Sequence, residues 1–124
     1  MNLTRNLTAE GEMDYDYSND ILFFKVKNRE YNYSLEFGNI VVDVDSDNFV
    51  TGIQLFDASD FLRTSKEELR KIAKWQFQAS VNQERIEIRI TFQALVRNKI
   101  VEKNPIIVQQ VTSGLAPENL IVTA

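Results

Sequence analysis

Histidine and cysteine are both missing from the 124 residues. Without cysteine there is no disulfide, no thiolate nucleophile and no thiolate metal ligand. Without histidine there is no Ser-His or Cys-His catalysis, no imidazole ligation and no proton shuttle of ordinary near-neutral pKa. Any chemistry must rest on carboxylates, Lys, Arg, Tyr, Ser or Thr. Of the two prolines, Pro105 alone is placed to blunt a sheet edge inside the folded region. No run approaches the roughly 18 apolar residues of a spanning helix, and Met1 to Glu10 lack the apolar stretch of a signal peptide, so a cytoplasmic location and no membrane partner are expected. Asn2, Asn6 and Asn32 match the glycosylation pattern, which without secretion means chance.

What is present suits a globular protein. Hydrophobic residues at 44% and charged residues at 26% are enough to bury a core without staples, and the length fits one domain. The net charge of −4 is uneven. Residues 1–62 hold 12 Asp or Glu against 4 Lys or Arg, a net −8, and residues 63–124 hold 6 against 10, a net +4. Opposite halves can pack together within one fold or across a dimer, or the second half can meet an acidic partner.

Alternation dominates the chain. Met13, Tyr15 and Tyr17 alternate with acidic residues; Leu22, Phe24 and Val26 share a face; so do Tyr31, Tyr33, Leu35 and Phe37. Val42 and Val44 lead into the turn-formers Asp45 to Asn48, after which Val50, Ile53 and Leu55 resume the pattern, which reads as a β-hairpin. Later, Trp75, Phe77, Ala79 and Val81 alternate, Asn82-Gln83 turns, and Ile86, Ile88, Ile90 and Phe92 return. The apolar run from Ile100 to Val111 contains Pro105, which marks an edge, bulge or break, and Gly114 and Pro117 loosen the tail. Ala58 to Leu62 suggests one helical turn. Ser65 to Glu68 has the spacing of a capping box and predicts a helix of two or three turns over 65–74. Residues 1–11 read as a loose N-terminal segment or a short added strand. The expected fold is mainly β, with seven or eight antiparallel strands in a curved sheet, open barrel or two-layer sandwich and one short helix near 65–74. Residues 12–124 form its single domain: a β meander over 12–59, then a helix and a C-terminal hairpin over 60–124.

Tyr15-Asp16 through Asp20-Ile-Leu-Phe-Phe, then Val41-Val-Asp-Val-Asp, then Val50-Thr-Gly-Ile-Gln-Leu-Phe-Asp-Ala-Ser59 carry a resemblance. Over residues 13–59 the chain resembles the domain-of-unknown-function family numbered 2283, small uncharacterised bacterial and archaeal proteins. Its members look like Tyr-Asp, Asp-x-Leu-Tyr-Ile, Val-x-x-Asp-x-Asp, a glycine turn, Val-Gly-Ile-Glu-Ile and Asp or Asn-Ala-Ser. Asn48 stands near where the family favours glycine, a swap that the left-handed region tolerates. The resemblance implies no activity, ligand or catalytic residue; some small members resemble antitoxin partners.

Three constellations invite chemistry. Asp43, Asp45 and Asp47 suggest a hard cation, but Asn48 and Gln54 occupy the positions where an EF-hand needs glycine and glutamate, so the set reads as a solvated strand edge and turn. Asp14, Asp16, Asp20, Asp57 and Asp60 could supply paired carboxylates for glycoside or phosphoryl chemistry, though no phosphate loop accompanies them. Lys66, Arg70, Lys71 and Lys74 beside Trp75 and Phe77 resemble a single-stranded nucleic-acid surface, yet the two aromatics fall on an apolar strand face. With no catalytic set complete, no catalytic, cofactor-binding or metal residue and no cofactor is assigned. The expected role is a non-enzymatic protein-interaction module, an antitoxin-like partner included, forming a homodimer or higher symmetric assembly through residues 75–111. The alternatives are a carboxylate-based or metal-assisted enzyme and a weak nucleic-acid binder through residues 63–103.

Overall fold

The computed structural model describes residues 4–82, 84–110, 115 and 117–124. Asn2, Gln83, Val111 and Gly114, which figured in the sequence pattern, lie outside the described residues. The elements in chain order are β1 (Arg5–Asp16), β2 (Ile21–Val26), β3 (Tyr31–Phe37), β4 (Ile40–Asp45), β5 (Val50–Phe56), α1 (Ala58–Leu62), α2 (Lys66–Leu69), β6 (Trp75–Asn82), β7 (Arg85–Val96), β8 (Lys99–Lys103), β9 (Ile106–Gln110) and β10 (Glu118–Thr123). The strands line up as β3-β4-β5-β2-β1-β10-β6-β7-β8, with β9 also on β7. The chain is mainly β and mostly antiparallel, as the alternation implies, but with ten strands among the described residues rather than seven or eight. Two sources supply the surplus. Asn104-Pro105 divides the apolar run into β8 and β9, and the chain termini pair with each other.

That terminal pairing decides between the two readings of the N-terminal segment in favour of the added strand, from Arg5 onward. Arg5 to Glu10 run parallel to β10, from Arg5 opposite Glu118 to Glu10 opposite Thr123. A parallel pair needs a long crossover connection. Here it is nearly the whole chain, so no local pattern could announce it. From Gly11 onward β1 changes partner and runs antiparallel to β2, from Gly11 opposite Val26 to Asp16 opposite Ile21. Gly11 is buried at the changeover, where a Cβ would run into Val122 and stand 2.9 Å from the Lys25 carbonyl oxygen.

The bend brings the two halves of the sheet face to face. Phe24 of β2 meets Trp75 edge-on at 5.8 Å between ring centroids and Phe77 at 5.4 Å, although β1 and β10 stand between β2 and β6 in the sheet. One core results: Leu22, Phe24, Val42, Ile53 and Leu55 from one half, Trp75, Phe77, Ile88, Phe92 and Val122 from the other. Each such side chain contributes about 1.5–3 kcal/mol by leaving water. The tight turns follow local chemistry. Gly38 (φ 58°) opens the two-residue β3–β4 turn, and Arg97 (φ 50°) and Asn98 (φ 64°) give the β7–β8 turn two left-handed residues, whose twist matches the strands.

Two short helices replace the single one expected. α1 forms where a turn was foreseen, but α2 stops at Leu69, well short of Lys74. Ser65 does cap it, accepting from the Glu68 amide at 3.2 Å. Leu69 is the buried residue of α2, and a short helix with so small an apolar face has little to hold it. Trp75 is meanwhile fixed at the start of β6 by reciprocal 2.9 Å hydrogen bonds with Ala124, and the intervening residues must turn to reach it.

Candidate functional site

At the β4–β5 corner two of the three carboxylates that suggested a cation site, Asp45 and Asp47, share Arg29, while Asp43 bonds to Ser34. Asp45 is buried; its Oδ1 accepts from the amides of Asp47 (2.8 Å) and Phe49 (2.9 Å), and its Oδ2 takes the Arg29 Nε at 2.6 Å. Asp47 meets the second Arg29 nitrogen at 3.3 Å. Asp43 accepts from the Ser34 hydroxyl at 2.7 Å. Among the described residues no three acidic side chains are placed to hold a metal ion. The corner is a clasp instead: the Arg5 guanidinium donates to the carbonyls of Asp47 and Asn48 (2.5 and 2.8 Å) and lies 4.1 Å from the Phe49 ring centroid, with Arg29 at 5.0 Å. Glu118, fully buried on β10, accepts from the Val50 amide. Burial lifts its carboxyl to about 7, against the lowering pull of the Val50 hydrogen bond and of Arg5.

A second polar hub gathers around Asp20. Its carboxylate accepts from the Tyr15 hydroxyl (2.5 Å), the Ser59 amide (3.0 Å) and the Ser59 hydroxyl (2.6 Å), while its carbonyl accepts from the Ala58 amide. Asp20 thereby caps α1 from a distant loop, a task Asp57 cannot perform because it sits in the left-handed region with no side-chain cap bond. Burial pushes the Asp20 carboxyl up, but the bonds from Ser59 and Tyr15 together outweigh it and hold it low. Burial and the Asp20 bond raise Tyr15 well above the ordinary phenol range. Of the other candidate carboxylates, Asp16 takes the Asn19 amide and side chain (3.1 and 2.8 Å), and Asp57 and Asp60 are exposed around α1.

The basic stretch is divided as well. Lys66 and Arg70 both lie 4.7 Å from the Tyr17 ring centroid, and Arg70 pairs with Glu67 at 2.9 Å. Trp75 and Phe77 are 2% and 0% exposed, so no base could stack on them.

The largest concave surface among the described residues takes in only the end of the basic stretch, Lys71, Lys74 and Trp75, and lies mostly beyond these motifs. A groove of about 710 Å³ runs along the end of β7, floored by Ile72, Trp75, Phe92, Ala94, Leu95 and Ile100 and rimmed by Glu68, Lys71, Lys74 and Glu102. Ile100 is 74% exposed and Leu95 51%. Ile106 and Val108, on the same face as Ile100, extend this apolar strip along β9, and Val101 is exposed on the opposite face of β8; among the described residues no strand pairs with the outer side of β8 or β9. The signal was present in sequence: Ile100-Val101 and Ile106-Ile107-Val108 are apolar at consecutive positions, more than one buried face requires.

Residues 12–59 match the family described as Protein of unknown function (DUF2283). Through this segment the chain belongs to the DUF2283 family. Two curated archaeal proteins are similar over longer stretches. One, from Methanosarcina mazei, is named "Putative hypoxanthine phosphoribosyltransferase" and is 33% identical over 90 residues, 73% of this chain and 73% of that protein. The other, an uncharacterised protein of Methanocaldococcus jannaschii, is 26% identical over 112 residues, 90% of this chain and 97% of its own length. No solved structure matches significantly.

The DUF2283 segment coincides with one half of the bent sheet, from within β1 through β2 to β5 and into α1. The Asp20 hub lies wholly inside it. Asp57-Ala58-Ser59 finds its physical reason there: a left-handed residue, an alanine with no room for more, and a hydroxyl on Asp20. The clasp joins the segment to the rest, since Arg5 and Glu118 reach it from outside. The groove and the open edge lie beyond the DUF2283 match.

Proposed function

We propose that this chain is a cytoplasmic, non-enzymatic protein-interaction module that works through the β8–β9 edge, and that its first partner is a second copy of itself. One observation carries the reading: Ile100, the most exposed large apolar side chain among the described residues, lines the groove and stands on a sheet edge with which no described strand pairs. Such an edge favours a partner, and an exposed apolar strip marks where one binds. A two-fold pairing lets the Ile100 and Leu95 of each copy enter the groove of the other, and sets Glu102 against Lys71 of the partner subunit, which closes the assembly. Self-pairing of β8 about Val101 would oppose Lys99 to Lys103, whereas β9 carries no charge. Light scattering should return twice the 14.4 kDa of one chain at micromolar concentration. Leu95→Lys with Ile100→Lys should return one chain without loss of the β circular-dichroism spectrum. A parent protein of single-chain mass at low salt would end this reading. An antitoxin-like role is its hetero form, with a toxin protein on the same edge.

A second reading rests on the name of the Methanosarcina mazei protein. Phosphoribosyl transfer needs cations or backbone amides around the phosphates. Lys71 and Lys74 could serve in the groove, but Glu68 and Glu102 line it with them and offset their charge. Conversion of hypoxanthine and a phosphoribosyl diphosphate donor to the nucleotide with release of diphosphate by the purified chain, lost in Lys71→Ala with Lys74→Ala, would replace the interaction reading.

A further inference from the structure

The clasp and the bend lie at opposite ends of one seam. β1 and β10 pair from Arg5 and Glu118 to Glu10 and Thr123, and Gly11, where β1 passes from one half of the sheet to the other, follows directly. About 20 Å of strand separates Gly11 from Arg5. At the Gly11 end the halves are joined by continuous chain and by the contacts of Phe24 with Trp75 and Phe77. At the Arg5 end polar contacts reach across to the β4–β5 corner: the Arg5 guanidinium donates to the carbonyls of Asp47 and Asn48, and Glu118 accepts from the Val50 amide.

Glu118 is the weak member of the clasp. It is fully buried, its two oxygens share one amide, and none of the ion pairs among the described residues includes it. The charged groups that face it are Arg5 from β1, Arg29 from the loop after β2 and Asp45 at the end of β4. Val81, opposite it on β6, and Val50 on β5 are uncharged. Arg5 is committed to the two carbonyls, and Arg29 to Asp45 and Asp47. A buried carboxyl served by one donor is tolerated as the neutral acid and costly as the anion. We infer that Glu118 is a proton-operated latch: protonated, it holds the β4–β5 corner against the end of the β1–β10 seam, and its ionisation lets the corner and that end of the seam part while the Gly11 end stays closed. Burial lifts the latched carboxyl to about 7, whereas in the parted state it meets water and ionises near its ordinary 4.5. Opening is therefore rarest below about pH 4.5, grows more frequent as pH rises and levels off above about pH 7; from pH 5.5 to 7.5 it should increase about twentyfold. The latch shares no residue with the groove or the β8–β9 edge, so the inference goes beyond the proposed interaction role.

Amide hydrogen exchange of the full-length chain, with rates corrected for the intrinsic effect of pH, is the test. The Val50 amide donates to Glu118, and the Arg5 amide donates to the Pro117 carbonyl at the end of the seam. Both should exchange through openings at least about tenfold more frequent than those that reach Ile88 in the core, and these openings should show the rise of about twentyfold between pH 5.5 and 7.5. Glu118→Gln, which keeps the size and cannot ionise, should remove the rise at both amides. A carbon-13 titration of the Glu118 carboxyl in the parent protein should have its midpoint near pH 7, and together with the parent's exchange it carries the test if the variant does not fold. Exchange of Val50 and Arg5 only as slow as that of Ile88 would mean unfolding of the whole molecule rather than a latch. A carboxyl midpoint near pH 4.5, or the same rise in a folded Glu118→Gln protein, would equally overturn the inference.

Discussion

The carboxylate of Glu118 is fully buried and shares a single backbone amide, that of Val50, between its two oxygens at 3.1 Å each. Its pKa is raised by burial from 4.5 to about 7. The unfolded chain ionises this group near 4.5, so between those values the folded protein keeps a proton that the unfolded chain has lost. The stabilisation is complete below about pH 4.5, falls as pH rises, and is gone above about pH 7, a swing of about 3 kcal/mol at roughly 1.4 kcal/mol per unit. Glu118→Gln should abolish that slope and stand above the parent in urea midpoint at pH 8 while matching it at pH 4.5. An identical pH profile in the two proteins would show that Glu118 is not the group responsible. The core is equally specific at this scale. Ile88, 1% exposed, should cost about 2–5 kcal/mol on truncation to Ala, and an Ile88→Ala protein with the parent's melting temperature would contradict its burial between the facing halves.

Among the elements, β1 decides the architecture because it belongs to both halves of the sheet. Gly11 serves there by its lack of a side chain, not by a left-handed backbone; Gly38 is the reverse, at φ +58° with nothing within 4 Å of a would-be Cβ. The two substitutions should therefore separate. Gly11→Ala should cost about 1–3 kcal/mol from overpacking against Val122 and the Lys25 carbonyl. Gly38→Ala should cost about 1–2 kcal/mol from left-handed strain, most of which Gly38→Asn should recover. Denaturant melts of the three variants check this, and a Gly38→Asn protein no better than Gly38→Ala would place the strain elsewhere.

For the whole molecule, the charge asymmetry acquires a geometry. The acidic first half and the basic second half make up the two limbs of one bent sheet, joined where β1 pairs with β10. None of the ion pairs among the described residues joins one half to the other, and the proposed interface, on the second half alone, is mainly apolar. Raising salt from 0.05 to 0.5 M should accordingly weaken the dimer only modestly, by less than about tenfold; dissociation on that scale of salt alone, measured by sedimentation, would point to an electrostatic interface elsewhere.

The sequence by itself determined what depends on near neighbours. Period-two alternation set the strands and their buried faces. Asp45 to Asn48 set the central hairpin turn, Ser65 the cap of α2, and Pro105 the break between β8 and β9. The resemblance over residues 13–59 was legible for the same reason, since its motifs serve one contiguous half. What tertiary structure decided depends on partners distant in the chain: the parallel pairing of β1 with β10, the early end of α2, the capping of α1 by Asp20, and the clasp of Arg5 and Glu118 on the β4–β5 corner. The groove is of that kind too. A strand's pattern says which face is apolar, but only register and the bend at Gly11 say which side chains end up opposite one another and which apolar residues are left without cover.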